Sequence, residues 1–423
     1  MYPGTQMNQR VKPLSIKQNM IWNLLGSSIG LGSQWAISIL VVRLATDLST
    51  AGLYSLAISI FGIFAPLANF GMYTYLITDM ERKNTIGEYT TLTSLTCFTA
   101  LLGTLGYSIA TCRPNAWFVI AAYTIYKGIA TVIDILHAED QRAHRMDYIG
   151  ISLGAQGILS LTSFTVVFHI SKNLILAILS MAIATLMVGL IYDIPKTSSL
   201  APIKLGIGRE KAKSILSGCV LIVISSMATG AFSTLPRQFL SNSMGDAALG
   251  IYASIATPVA IIQVGSAYIY NPLIGYFAES FYEGDRIRFV GLLKKTLLGI
   301  LMVGIIAILA GSALGKPILE LLYGSEVASH TELLNPLILS SILLGATAFF
   351  NNLLIAVRSL RIMVVGSFIA LAASAILSQP LLVLFGMNGA TIALMVASTA
   401  SIVTSCIGIA LQIKARFHSN RTS

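Results

Sequence analysis

The sequence predicts an all-α integral membrane protein of about twelve transmembrane helices, arranged as two six-helix pseudo-symmetric lobes. Three observations carry this. First, 55% of the 423 residues are hydrophobic and only 10% are charged, with a mean hydropathy of +0.79, whereas roughly a quarter of a soluble protein is charged. Second, apolar runs of about 20 residues, the length a helix needs to cross a bilayer, recur along the whole chain. Third, Arg142-Ala-His-Arg145-Met-Asp-Tyr-Ile-Gly150 returns as Arg358-Ser-Leu-Arg361-Ile-Met-Val-Val-Gly366. Arg43 upstream of Gly52-Leu53-Tyr54 is likewise echoed by Arg237 upstream of Gly250-Ile251-Tyr252. Such duplication marks transporter architectures.

In the first half the spans are predicted at 17–42, 51–76, 89–111, 115–137, 148–169 and 173–192. Gly26-x-x-x-Gly30 and Gly32 suit close helix approach in span one, and Pro66 bends span two. Only Ser171-Lys172-Asn173 separates spans five and six, so that hairpin is tight. The segment 193–213, with two Pro, two Gly and several cations, is the longest linker and falls near the middle. It divides an N-terminal lobe, 1–200, from a C-terminal lobe, 201–423. The second half holds spans at 214–236, 249–273, 290–312, 334–357, 362–385 and 388–412, with Pro258 and Pro380 as further bends. Even-numbered lobes are related by an axis along the membrane normal. The longest outer loop is predicted at 313–333.

Charge placement tests the span count. With the amino terminus cytoplasmic, alternate segments collect 21 of the 27 Lys and Arg, as expected if positive loops resist translocation. The opposite loops keep Arg43, Arg113, Lys172, Arg237 and Lys316, and Lys127 is left inside a span. Both termini are therefore expected in the cytoplasm. The net charge of +10 follows from this topology. It is spread over separate segments, so no nucleic-acid partner is expected. Cys97, Cys112, Cys219 and Cys406 fall in or at the ends of spans and indicate no disulfide framework. The first apolar run is too long for a cleavable signal core.

No catalytic motif, metal-ligand spacing or phosphate loop is present, and His137, His144, His169, His330 and His418 are scattered. The expectation is no enzyme, no cofactor and no metal. Lys127 is the sharpest single residue, because a charge near mid-membrane is costly on a lipid face. It either points into a water-filled cavity that attracts an anionic substrate, or forms a structural ion pair with Asp134 or with another helix. Asp134 is seven residues on, about 10 Å along the same helix face. As the one plausible acid within a span, Asp134 is also the candidate for ion coupling. Arg43 and Arg237 are candidates for a substrate mouth, or interfacial arginines that snorkel. Gln34, Trp35 and Asn351 are candidate contacts to sugar hydroxyls or rings, or ordinary interhelical packing. Arg142, Arg145, Arg358 and Arg361 are topological anchors or headgroup contacts.

Gln34-Trp-Ala-Ile-Ser-Ile-Leu-Val-Val-Arg43, followed by Ala51-Gly-Leu-Tyr-Ser-Leu-Ala-Ile-Ser-Ile60, resembles the opening of oligosaccharide flippases, the Wzx-type polysaccharide transporters. These belong to the multidrug/oligosaccharidyl-lipid/polysaccharide exporter (MOP) superfamily. Leu235-Pro-Arg237 with Gly245-Asp-Ala-Ala-Leu-Gly250-Ile-Tyr-Ala, and Gln141-Arg142-Ala-His-Arg145-Met-Asp147-Tyr-Ile-Gly150, resemble that family as well. The resemblance implies a V-shaped, two-lobe transporter of the bacterial cytoplasmic membrane. It would move undecaprenyl-pyrophosphate-linked oligosaccharide repeat units across the membrane by alternating access, for capsule, O-antigen or exopolysaccharide synthesis. Membrane lipids, a polysaccharide polymerase and chain-length machinery are the partners it implies, with Lys127, Arg43 and Arg237 as cationic cavity residues. Met72-Tyr-Thr-Tyr-Leu-Ile-Thr-Asp79 departs from the family in lacking an Arg before the Asp; Asp79 is retained as a topology or headgroup candidate.

Two alternatives stand. A cation-exporting drug antiporter of the same superfamily needs carboxylates at membrane depth, and Asp134 is its one candidate. An integral-membrane polymerase or glycosyltransferase needs a reactive outer loop, and Asp47, Glu320, Glu326 and Glu332 form no recognisable arrangement.

Overall fold

The fold is known from a computed structural model, which describes residues 13–78, 84–270 and 273–419; Asp79 lies outside them. Contacts divide the chain into two units, residues up to Thr46 with Ile60–Val223, and Asp47–Ser59 with Ile224–Ser423. Among the described residues, twelve helices are long and apolar enough to cross a membrane.

The first unit begins with α1 (Ile16–Leu44), started by a reciprocal cap in which Ser15 accepts from the Gln18 N–H and Gln18 accepts from the Ser15 N–H. Helix α2 (Leu48–Asn69) is followed by Phe70 and Gly71 at φ 46° and 72°, then by α3 (Met72–Thr78). The single span expected at 51–76 is thus broken. Pro66 weakens the helical ladder, and Asn69 Oδ1 accepts from the Gly71 N–H at 2.9 Å, fixing a turn there. Helix α4 (Ile86–Thr111) opens with a second reciprocal cap, Thr85 with Glu88, and α5 (Pro114–Arg142) with proline in its first turn. Helix α6 (Met146–Ser171) ends at Lys172, whose φ of 52° makes the expected tight hairpin. Asn173 then caps α7 (Leu174–Val188).

After α7 the helix widens into a π turn, Gly189–Asp193, before α8 (Ile194–Ser198). The Ile194 N–H donates to Gly189 O. Pro195 comes next, and its missing N–H and bulky ring disfavour an ordinary α ladder at this point. Residues 193–198, expected in a linker, are therefore helical.

Helix α1 packs most extensively on α6, and the sequence explains why. A Cβ on Gly26 would collide with the Gly150 backbone, one on Gly150 with Trp22 O, and one on Gly157 would sit 3.0 Å from Gly30 Cα. Gly32, grouped with Gly26 and Gly30 by sequence, has nothing within 4 Å and takes no part.

Helix α9 (Arg209–Met244) leads into the second unit, which continues through α10 (Asp246–Val259), α11 (Ile261–Tyr270) and α12 (Ile274–Glu283). The span expected at 249–273 is interrupted at Ala260, just after Pro258. Helix α13 (Arg286–Tyr323) then runs for 38 residues, followed by α14 (Ser325–Ala328). Most of the outer loop expected at 313–333 is therefore helix, since its residues as far as Tyr323 tolerate a helix apart from Gly315 and Pro317. Helices α15 (Leu334–Ala356), α16 (Leu360–Phe385) and α17 (Met387–Ser419) complete the unit. Phe232, Ala370, Leu394 and Ala397 form part of its core. Buried hydroxyls cross-link it: Ser374 Oγ donates to Phe232 O at 2.8 Å, and Ser225 and Ser367 meet at 2.9 Å. Exposed Leu301, Met302, Ile305, Ile306 and Leu309 on α13 form a face suited to lipid.

Candidate functional site

Lys127 sits half-buried in the middle of α5. Its Nζ donates to Gln34 Oε1 on α1 at 3.4 Å and lies 5.1 Å and 5.9 Å from the ring centroids of Tyr126 and Tyr123. Ring faces attract a cation, and the amide takes one of its three donors. No ion pair of Lys127 is formed among the described residues. The alternative of a structural pair with Asp134 is thereby corrected: Asp134 is 54% exposed and is turned instead towards His137, 3.6 Å away. Trp35, beside Gln34, is 39% exposed. An apolar groove of about 470 Å³ between α1 and α6, lined by Ala36, Leu40, Leu161 and Val166 among others, offers space for an acyl chain.

Besides Asp134, the one plausible acid within the expected spans, other acids lie within the helices. Glu139, Asp140 and Asp193 are all buried, with His137 beside them. His137 Nε2 lies 3.1 Å from Asp193 Oδ1, and Ser152 Oγ donates to Asp193 Oδ2 at 2.9 Å. Gln156 donates to Ser152 Oγ at 2.9 Å, extending the chain along α6. Thr197 Oγ1 donates to Asp140 Oδ1 at 3.0 Å. These residues were missed because α5, and the π turn and α8 that continue α7, run further than the apolar windows suggest. A signal was available: Asp193 stands in Leu-Ile-Tyr-Asp-Ile-Pro, flanked on both sides by apolar residues.

Arg142 is paired with Glu139 and is only 10% exposed. Its Nε and one terminal nitrogen have no hydrogen-bond partner among the described residues. Arg145 grips Asp147 through two hydrogen bonds, at 2.8 and 2.7 Å, and lies 4.0 Å over the Tyr148 ring. Arg358 and Arg361 are exposed.

The repeated turns have the same backbone but a shifted sequence register. N–H groups of Ala143, His144 and Arg145 donate to Glu139, Gln141 and Asp140; those of Val357, Arg358 and Ser359 donate to Leu353, Ile355 and Leu354. His144 and Arg358 are both at φ 57°. Arg358 therefore corresponds to His144, not to Arg142, and Gly366 lacks the close helix contact of Gly150.

Arg43 is exposed in the last turn of α1, in the first unit. Arg237 belongs to the second. One of its terminal nitrogens donates to Ser59 Oγ at 3.2 Å, while its buried Nε has no partner among the described residues. Asn351 is half-buried on α15, also in the second unit. Lys127, Gln34 and Trp35 are thus neighbours, and Arg237 and Asn351 are not in their unit.

No family model matches the chain. Solved structures match nearly all of it. A lipid II flippase MurJ in an inward closed conformation superposes with a TM-score of 0.70 at 11% identity, covering 93% of this chain and 90% of the other. An inward-facing MATE family multidrug transporter of the MOP superfamily gives 0.67 at 10% identity, covering 94% and 99%. The chain has the fold of MOP-superfamily transporters. The Vibrio cholerae MATE transporter VcmN matches at 0.62 and 15% identity, over 95% of this chain and 96% of that one. In sequence, the MOP-fold chain is 27% identical over 237 residues to the capsular polysaccharide biosynthesis protein CapF of Staphylococcus aureus, covering 54% of this chain. It spans 60% of the length of that relative. The twelve-helix MOP architecture and the resemblance to Wzx-type flippases both fit these findings.

Proposed function

We propose that this protein is a flippase for lipid-linked oligosaccharides, moving undecaprenyl-pyrophosphate-linked repeat units across the bacterial cytoplasmic membrane by alternating access for surface polysaccharide synthesis. The observation that carries the reading is Lys127: an amine midway along a membrane helix, held by an amide and two ring faces, without an acid partner among the described residues. Such a group is matched by an anion, and a pyrophosphate supplies both the charge and the acceptor oxygens. Gln34 and Trp35 beside it suit sugar hydroxyls and rings. Arg237, with its unpartnered Nε, is a second anion contact, and Arg43 a third. The match to a capsular polysaccharide biosynthesis protein and the fold shared with a lipid II flippase support this substrate class. In this reading the duplicated lobes are 1–200 and 201–423, both termini are cytoplasmic, and the protein is not an enzyme. A polysaccharide polymerase and chain-length machinery act after it.

The test is to delete the gene in its native host and extract lipid-linked oligosaccharides, scoring the leaflet that holds them. Completed units trapped on the cytoplasmic side, with surface polymer lost, are expected. Completed units on the outer leaflet would point to a polymerase.

One observation favours a second reading. Carboxylates buried in α5 and the π turn are what a cation antiporter requires, and several structural neighbours are MATE transporters. Unaltered lipid-linked pools in the deletion strain, with raised sensitivity to cationic drugs, would select it.

A further inference from the structure

Asp140 is a buried carboxyl of the first unit with no ion pair among the described residues. It is fully buried, its Oδ1 accepts from Thr197 Oγ1 at 3.0 Å, and its Oδ2 has no hydrogen-bond partner among the described residues. The cations of its own helix and of the neighbouring elements have other partners. On its own helix, Arg142 is taken by Glu139, and His137 is placed between Asp193 at 3.1 Å and Asp134 at 3.6 Å. From α6, Arg145 is held by Asp147. From α8, Lys196 Nζ lies over the rings of Tyr148 and Tyr192, at 5.2 and 5.9 Å. From α3, the Tyr73 hydroxyl is spent on Gln141 Oε1 at 2.6 Å. Every nearby cation has another partner.

The geometry is a ladder of two rungs. His137 and Asp140 are three residues apart on α5, and Asp193 and Thr197 four apart across the π turn and α8, so each pair shares a helix face. His137 meets Asp193 and Asp140 meets Thr197. The His137–Asp193 rung is charge-balanced when the imidazole is protonated; the Asp140–Thr197 rung is balanced only when the carboxyl is. An ionised carboxylate buried beside one hydroxyl is a costly state. Protonated on Oδ1, Asp140 donates to Thr197 Oγ1 and leaves Oδ2 as a neutral carbonyl oxygen, the less costly atom to bury unpaired. No group of three or more His, Cys, Asp or Glu that could hold a metal ion occurs among the described residues.

We propose that Asp140 is a proton-binding site, with Thr197 as its hydrogen-bond partner and the His137–Asp193 pair beside it, and that it couples transport to a proton gradient. Asp134, the acid singled out from sequence, is peripheral to it. The coupling half rests on the flippase reading; proton binding does not. The first measurement is therefore made without substrate. Infrared difference spectra between acid and alkaline pH are recorded on the full-length protein in lipid nanodiscs, following the carboxylic C=O band. Wild type shows a protonated carboxyl that titrates, Asp140→Asn lacks it, Thr197→Val shifts its frequency, and Asp134→Asn keeps it. The asparagine is isosteric and retains the Thr197 contact, and an unchanged thermal melt verifies folding. An identical band in Asp140→Asn overturns the site and leaves the flippase reading untouched.

Proteoliposomes with a pH dye inside then receive undecaprenyl-pyrophosphate-linked oligosaccharide. Proton movement in wild type and its loss in Asp140→Asn supports coupling. Equal movement in both overturns it. Proton movement driven by ethidium and not by the oligosaccharide retains Asp140 and overturns the flippase reading instead.

Discussion

Gly52 on α2 and Gly250 on α10 face each other across one helix crossing of the second unit. A Cβ added at Gly52 would strike Asp246 O and come within 3.1 Å of Gly250 N; one at Gly250 would strike Leu48 O and come within 3.2 Å of Gly52 N. The two glycines of the Gly-apolar-Tyr repeat are thus each other's packing partners, through backbone that cannot move aside.

Gly52→Val or Gly250→Val is expected to disrupt this crossing at a cost of at least about 1–3 kcal/mol, the range for overpacking. Thermal melts of purified protein should show it, and the folded yield should fall.

The same reasoning separates glycines on α1. Gly26→Leu should abolish folding, because its Cβ already collides with Gly150 backbone. Gly32→Ala, in open surroundings, should be neutral or slightly stabilising, by about 1 kcal/mol at most, through helix propensity. Comparable losses in both variants would contradict the packing of α1 on α6.

Lys127→Ala should leave the protein folded in the membrane and abolish transport, read as cytoplasmic-side accumulation of lipid-linked oligosaccharide. Lys127→Arg should restore part of it, since the charge remains while the shape of the donor changes. Wild-type surface polymer in Lys127→Ala cells would sink the anion-site argument.

Glu139→Ala removes the partner of a buried arginine that already has unpartnered nitrogens. Breaking such a pair costs about 3–5 kcal/mol, so the variant should unfold well below wild type in a thermal melt. The double variant Glu139→Ala/Arg142→Met should regain most of that stability. A single variant as stable as wild type would show that water, not Glu139, solvates Arg142.

Much of this was legible in the sequence. The twelve spans, the tight turn at Lys172 and the glycine seam of α1 follow from local quantities: about 20-residue apolar length and small residues at helical spacing. Pro66 and Pro258 marked bends, but the full break of span two was not legible, because Phe70 and Gly71 take positive φ through a turn that hydropathy does not register.

The sequence by itself determined the membrane class, the number of crossings and where a charge must be sheltered from lipid, because transfer of each segment from water depends on its own composition. The tertiary structure alone decided which charges are sheltered together. Asp193 reads as linker and His137 as a span end until the π turn before Pro195 brings them within 3.1 Å. Arg142 and Arg358 read as equivalents until the backbone of their turns assigns Arg358 to His144. Both outcomes depend on contacts between separate helices or on the conformation of single turn residues, and neither leaves a periodic trace in the chain.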